Sequence, residues 1–305
     1  MFDSAARDLL TVRDWLRFAV SRFNEAGLFF GHGSTSAYDE AAYLILHTLH
    51  LPIDRLDPFL DARLVPEEGA RLADVLRQRV EKRLPAAYLT GEAWLQGYRF
   101  HVDERVIVPR SFLAPMILEQ FHPWLDQPEQ VLHALDLCTG SGCLAILLAE
   151  AFPEAAVDAA DLSADALQVA RRNVDEYGLA ERIQLIQTDL FAGLDGRSYD
   201  LIVSNPPYVD AEAMAALPPE YWHEPELALA SGHDGLDAVR RILHEAPGHL
   251  NPGGLLAVEL GHNRAALEAA FPSLELMWPE VEWDADTVFL VHKEQLLNGI
   301  KNGTI

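Results

Sequence analysis

Apolar side chains recur at helical spacing from Leu9 to Leu28, at Leu9, Leu10, Trp15, Leu16, Phe18, Ala19, Val20 and Phe23, and Gly27 offers a stop. A loop follows at Gly31-His32-Gly33-Ser34-Thr35-Ser36. A second helix is expected from about Tyr38 to Leu49, ended before Pro52, and a third from Pro66 to Arg83. Together they predict a small helical domain over residues 1–90. Beyond Pro85 the period changes. Trp94 to Val102 and Arg105 to Val108 predict two short strands around Asp103-Glu104, a hairpin within residues 91–109 that links to the next unit. Pro109-Arg110-Ser111 then opens a helix to about Trp124, and Asp126 to Gln130 is a polar loop.

From Val131 the chain alternates between apolar runs and amphipathic stretches. Strands are expected at 131–137, 156–161, 182–187, 199–204 and 254–260, with helices near 142–152, 163–177 and 234–249 between them. Such alternation implies an α/β unit, an open and mostly parallel sheet covered on both faces, here over residues 110–297. The remainder predicts a helix near Asn263–Ala270, strands at 273–278 and 286–292, and a tail from 298 to 305. No internal repeat or low-complexity segment appears.

Composition narrows the class. With 305 residues, half of them hydrophobic, the chain can bury a full core and one smaller domain beside it. No apolar run approaches the roughly 18 residues of a membrane span, and the start, Met1 to Asp8, is polar and mixed in charge, without the pattern of a signal peptide. Only Cys138 and Cys143 are present, which argues against a disulfide scaffold and for a reducing, cytoplasmic setting. Twelve histidines are scattered without a His-Glu-x-x-His pair, so no metal site is indicated. The formal charge of −24 repels phosphate backbones and attracts basic partners. Direct nucleic-acid binding is therefore not expected, whereas a lysine- and arginine-rich protein is a suitable substrate; the charge also serves solubility alone.

Two loops at strand ends carry candidate chemistry. Asp136-Leu137-Cys138-Thr139-Gly140-Ser141-Gly142 follows the first strand of the sheet, where glycines let the backbone turn tightly and approach a cofactor. By spacing, Gly140-x-Gly142-x-x-Ala145 also fits a dinucleotide fingerprint, so an NAD-dependent dehydrogenase is a rival reading. Asp161 ends the second strand, where a carboxylate can accept from ribose hydroxyls, although an Asp two residues before a Ser-headed helix also suits a cap. Asp189, after the third strand, can accept from an exocyclic amine or serve a turn. Asp136 at the mouth of the loop favours a cationic ligand, and S-adenosylmethionine is cationic and carries no phosphate.

The second loop is Asn205-Pro206-Pro207-Tyr208, at the end of the run Tyr199 to Ser204. Each proline fixes its own φ and biases its predecessor to extended geometry, so the Asn205 side chain and nearby carbonyls form a rigid acceptor set. A planar NH2 group lying against Tyr208 could donate to the Asn205 side-chain oxygen and the Pro206 carbonyl. Both acceptors would stabilise positive charge developing on that nitrogen.

On these residues the chain from Val131 onward resembles a class I S-adenosylmethionine-dependent methyltransferase, with Asn205 to Tyr208 as the motif of amino-methylating members. Arg83-Leu84-Pro85-Ala86-Ala87-Tyr88-Leu89-Thr90-Gly91 and Val108-Pro109-Arg110 extend the likeness to the bacterial protein N(5)-glutamine methyltransferases. The release-factor branch of that family reads Pro-Arg-Pro-Asp-Thr-Glu after the hairpin and carries a full glycine loop. This chain has Pro109-Arg110-Ser111-Phe112-Leu113, and Cys138 stands at the first glycine position. Together with Phe29-Phe30-Gly31-His32-Gly33 and Glu220 to Leu227, those departures resemble the branch that modifies large-subunit ribosomal protein L three.

The resemblance implies a Rossmann-like sheet with the helical domain recognising substrate. It implies S-adenosylmethionine as cofactor, with Asp136 and the loop Cys138, Thr139, Gly140, Ser141 and Gly142 on the methionine moiety, Asp161 on the ribose, Asp189 on the adenine and Leu190 packed against the ring. Asn205, Pro206, Pro207 and Tyr208 would then hold a glutamine carboxamide, with His223, Glu224 and Pro225 on the substrate side or in a surface loop. Four alternatives stay open: the release-factor branch, an adenine-specific nucleic-acid methyltransferase, the dehydrogenase, and a non-catalytic ribosome-assembly factor.

Overall fold

The computed structural model describes residues 1–279 and 286–303. The first domain packs α1 (Phe2–Asp8), α2 (Val12–Glu25), α3 (Ala37–Thr48), α4 (Pro66–Glu81) and the short α5 (Ala86–Thr90) around Trp15, Phe23, Leu44, Ile45, Leu72 and Leu76. The helix expected from Leu9 begins at Val12 because Thr11 caps it. The Thr11 hydroxyl accepts from the Asp14 N–H at 3.2 Å and the Asp14 carboxylate accepts from the Thr11 N–H at 3.0 Å, a reciprocal box that separates α2 from α1.

The hairpin differs from expectation. Its strands are β1 (Glu92–Leu95) and β2 (Tyr98–His101), paired antiparallel with Leu95 opposite Tyr98, so the turn is Gln96-Gly97 and not Asp103-Glu104. Both turn residues are left-handed, with φ of 52° and 81°, the backbone a two-residue hairpin requires. Residues 102–112 then run as an irregular strap to α6 (Leu113–Leu118), which stops short of the expected Trp124 because Gln120 and Phe121 are both left-handed.

The sheet is built from β3 (His133–Leu137), β4 (Ala156–Asp161), β5 (Ile183–Gln187), β6 (Tyr199–Ser204), β7 (Leu250–Glu259) and β8 (Val288–His292), in the order β5-β4-β3-β6-β7-β8. All neighbours are parallel except β7 and β8. Successive side chains alternate between two buried layers: Leu201 and Val203 face α6, α7 (Cys143–Ala151) and α8 (Ala164–Glu176), whereas Ile202 faces α10 (Asp237–His249) and α12 (Lys293–Lys301). The helix expected near Asn263–Ala270 is α11 (Arg264–Ala270). α12 runs through the expected boundary at residue 297, and residues 304 and 305 of the expected tail lie outside the described residues.

Residues 273–278 form no strand; Met277 alone bridges Leu290. Pro272 and Pro279 flank the stretch and have no N–H to donate to a ladder.

β3 connects through α7 to β4 on one side while β6 lies on its other side. The loops after β3 and β6 therefore diverge and open a crevice at the carboxyl edge of the sheet. After β6 come α9 (Ala211–Ala216) and a one-turn helix, Pro219–His223. Two buried carboxylates tie that turn down. Glu220 accepts from the Phe29 N–H (3.1 Å), Arg79 (3.2 Å) and Arg83 (3.3 Å) of the helical domain, and Arg79 also holds Glu40 at 2.6 Å. Glu224 accepts both ends of the Arg110 guanidinium at 2.6 Å and the Val108 N–H at 2.8 Å, with His32 Nε2 at 3.5 Å.

Burial alone would push the Glu224 carboxyl up, but the Arg110 and His32 contacts bring it down to about 2. Its value in the unfolded chain is 4.5, so this stabilisation is present above that pH and is lost as pH falls toward 2. Glu224→Gln should lower unfolding free energy at pH 7 by about 3 kcal/mol, since it leaves the Arg110 charge without its counter-charge. In denaturant titrations the gap between wild type and variant should shrink below pH 4.5; a constant gap down to pH 3 would contradict the ion-pair account.

Candidate active site

The crevice holds two cavities that meet at Asn205. The first, about 300 Å³, is lined by Leu137, Cys138, Gly140, Asp161, Leu162, Asp189, Leu190, Asn205 and Pro207. The second, about 420 Å³, lies toward the helical domain and is lined by Phe29, Arg110, Asn205, Pro206, Tyr208, Leu217 and Tyr221.

In the first cavity Asp161 organises the glycine loop. Its Oδ2 accepts from the Gly140 N–H at 2.8 Å and its Oδ1 from the Ser163 N–H at 2.8 Å, so it both braces the turn and sits at the start of α8; burial pushes its carboxyl up. Asp189 projects to the rim and pairs with Arg241 of α10 at 2.7 Å. Leu190 adopts φ 49° and forms an apolar wall. Asp136, Thr139, Ser141 and Gly142 do not line the cavity. They stand behind the loop: Asp136 Oδ2 accepts from the Thr139 hydroxyl and from the Ala145 N–H at 2.9 Å. The Ser141 carbonyl accepts from Asn173 at 2.8 Å, and a Cβ on Gly142 would stand 3.1 Å from that of Ala170.

Asp136 is fully buried, its Oδ1 has no hydrogen-bond partner, and burial pushes its carboxyl up to about 7. A carboxylate placed this way uses an amide at the start of α7 that a pyrophosphate would otherwise exploit. The two arginines of the cavity are also committed to carboxylates, Arg241 to Asp189 and Arg105 to Asp103 at 2.6 Å. This donor set suits a cationic, phosphate-free ligand such as S-adenosylmethionine better than a dinucleotide.

In the second cavity the Asn205 Nδ2 donates to the Arg110 carbonyl at 3.4 Å, which leaves Oδ1 as the acceptor on the opposite side of the amide. Tyr208 is held at three points. Its hydroxyl donates to Glu259 at 3.3 Å, its carbonyl accepts from Asn263 at 2.6 Å, and its ring packs on Gly261, where a Cβ would come within 2.7 Å of the ring. Glu259 also accepts from the Ser111 hydroxyl (2.5 Å) and the Phe112 N–H (3.0 Å); burial pushes it up to about 7. His223 bonds the Lys82 carbonyl at 2.8 Å, Glu224 is the ion-pair carboxylate described above, and Pro225 lines the first cavity.

The Methyltransferase small domain family model matches residues 119–218. Proteins named ribosomal protein uL3 glutamine methyltransferase are similar over nearly the whole chain. The one from Neisseria gonorrhoeae is 60% identical over 97% of this chain and 99% of its own, and the one from Bordetella pertussis 57% over 97% and 99%. The chain belongs to this family. It is a methyltransferase, and the sheet is that of class I members. The hMettl16 catalytic domain, solved in complex with MAT2A 3′UTR hairpin 1, shares the fold at a TM-score of 0.50 and 18% identity, covering 83% of this chain and 88% of that one.

Several site-building residues escape a reading of the sequence. Arg110, Glu259, Gly261 and Asn263 act on Asn205 and Tyr208 from 51 to 95 residues away. For Glu259, Gly261 and Asn263 the only signal is position at or just beyond the end of β7, and Arg110 is marked only by the family-like run Val108-Pro109-Arg110. Cys138 stands at the first position of the glycine loop. It keeps the left-handed backbone of that position, φ 65°, at a cost of about 1–2 kcal/mol for an L side chain. Its thiol is pushed up by burial and the neighbouring carboxylates of Asp161 and Asp136, and Cys143 is pushed up to about 12, again chiefly by burial. The thiolate is the reactive form. Both thiols should therefore resist iodoacetamide at pH 8 in the native protein and react fully once denatured; rapid native labelling of Cys138 would contradict this environment.

Proposed function

We propose that this chain transfers a methyl group from S-adenosylmethionine to the side-chain amide nitrogen of a glutamine in ribosomal protein uL3. The observation that carries the reading is Asn205, shared by the two cavities, with its amide turned so that Oδ1 is free to accept. The relatives' name supplies the protein substrate, and the formal charge of −24 suits a basic partner. The cytoplasm, where ribosomes form, is the matching compartment.

Bound in the first cavity, S-adenosylmethionine supplies a methyl group made electrophilic by a sulfonium. In this reading Asp161 accepts from the ribose, Asp189 from the adenine amine, Leu190 packs on the ring, and Asp136 with the loop Cys138 to Gly142 shapes the methionine end. Arg241 holds the Asp189 carboxylate in place at the rim.

A carboxamide nitrogen is a weak nucleophile because its lone pair is shared with the carbonyl. Asn205 Oδ1 and the Pro206 carbonyl accept its two hydrogens and orient it, while Tyr208, fixed by Glu259, Asn263 and Gly261, provides the surface it lies on. As the N–C bond forms and the S–CH3 bond breaks to release S-adenosylhomocysteine, positive charge grows on the nitrogen and both acceptors strengthen without having to reorganise; one N–H proton then leaves to water. The helical domain recognises the protein around the glutamine through Phe29, which walls the second cavity together with Tyr221 of the turn after α9.

Asn205→Ala should cut methyl transfer by about 10²–10³-fold, the order expected on removing one preorganised polar group, while calorimetric binding of S-adenosylmethionine changes by less than about tenfold. An equally active variant would remove Asn205 from the mechanism.

A further inference from the structure

The one-turn helix Pro219–His223 contains a contradiction in its burial. Glu220 is completely buried among Arg79, Arg83 and the Phe29 amide. The Tyr221 ring lies 4.5 Å from that of His32 and 5.2 Å beneath the Arg110 guanidinium. His223 is bonded to the Lys82 carbonyl, and Glu224 to Arg110 and Val108. Every neighbour of Trp222 is fixed, yet Trp222 itself is 73% exposed, the most exposed large apolar side chain among the described residues.

A single exposed apolar residue is ordinary on a protein surface. This one directly follows Tyr221, a wall of the second cavity, in the chain. α9, directly after the Asn205–Tyr208 loop, has no buried residue, Leu227 on the other flank is 55% exposed, and Ala213, Leu217, Pro218 and Tyr221 of the same stretch line the second cavity. Burying charged groups is costly, and here three buried ones, Arg79, Glu220 and Glu224, with the half-buried Arg83 and Arg110, hold one surface turn in a single geometry. A rigidly presented indole loses little freedom when it is covered, which is why tryptophan dominates binding hot spots.

We propose that Trp222 is the docking anchor for the basic polypeptide that carries the target glutamine, covering its backbone beside the second cavity. This rests on the function proposed above. Charge complementarity and closeness in the chain to the glutamine-side cavity select that occupant: the chain is strongly acidic, Glu212 of α9 and Glu226 are exposed on either side of the turn in sequence, and Tyr221 beside Trp222 lines that cavity.

The test is steady-state methylation of unmodified uL3 by wild type, Trp222→Ala and Trp222→Phe. Trp222→Ala should raise KM for uL3 about tenfold or more, leave kcat at saturating uL3 and calorimetric affinity for S-adenosylmethionine within about twofold, and leave the thermal midpoint unchanged, because an exposed indole does not support the fold. Trp222→Phe should recover most of the loss. An unchanged KM in Trp222→Ala, or a fall in kcat alone, overturns the anchor while the proposed reaction stands. If wild type places no methyl on uL3, the proposed reaction falls and the anchor with it.

Discussion

Arg110 is the residue through which the parts of this protein are held in register. Its guanidinium neutralises Glu224, a carboxylate with no solvent access, and its main-chain carbonyl accepts from Asn205. Glu224 in turn reaches the Val108 amide on the strap and faces His32 of the helical domain. One ion pair thus links the domain, the strap after the hairpin, the turn beyond α9 and the amide at the junction of the two cavities. Desolvating such a pair offsets much of its attraction, so its value lies more in geometry than in net stability. Removing one partner leaves a charge with nowhere to go.

The two cavities divide the work by charge. Around the first, arginines are already satisfied and Asp136 keeps one oxygen unpartnered behind the glycine loop. In the second, Arg110 is already paired with Glu224, and the groups proposed to meet the glutamine are neutral: an amide, a proline carbonyl and a tyrosine ring. Glu259 stands one layer behind, tying Ser111, Phe112 and Tyr208 together. In the proposed reaction, acceptors fixed by prolines and by buried bonds would serve a nucleophile that needs orientation and charge stabilisation more than it needs a strong base.

The sheet was legible because strands buried on both faces are mostly apolar, as at Leu201–Val203, and Asn205-Pro206-Pro207 marks a clear break after Tyr199–Ser204. The hairpin turn was not: Gln96-Gly97 lacks the usual Asn-Gly or Asp-Gly signal, while Asp103-Glu104 looks like a polar turn and instead lies on the strap. The loops carrying Asp161, Asp189 and Asn205 were readable from their places at strand ends. Asp136 was placed at the mouth of its loop, but the helix that follows draws it underneath. From sequence Glu224 stays between the substrate side and a surface loop, and the burial of Glu220 is not foreseen, because a carboxylate reveals its burial only through partners, and Arg79, Arg83 and Arg110 lie more than a hundred residues upstream.

The most direct measurement offers the purified protein and methyl-labelled S-adenosylmethionine two separate pools, unmodified ribosomal proteins and unmodified release factors, and maps the labelled peptide by mass spectrometry. The account predicts label on one glutamine side chain of uL3 and none on the release factors. Label on a release-factor glutamine, or on no protein at all, would contradict it.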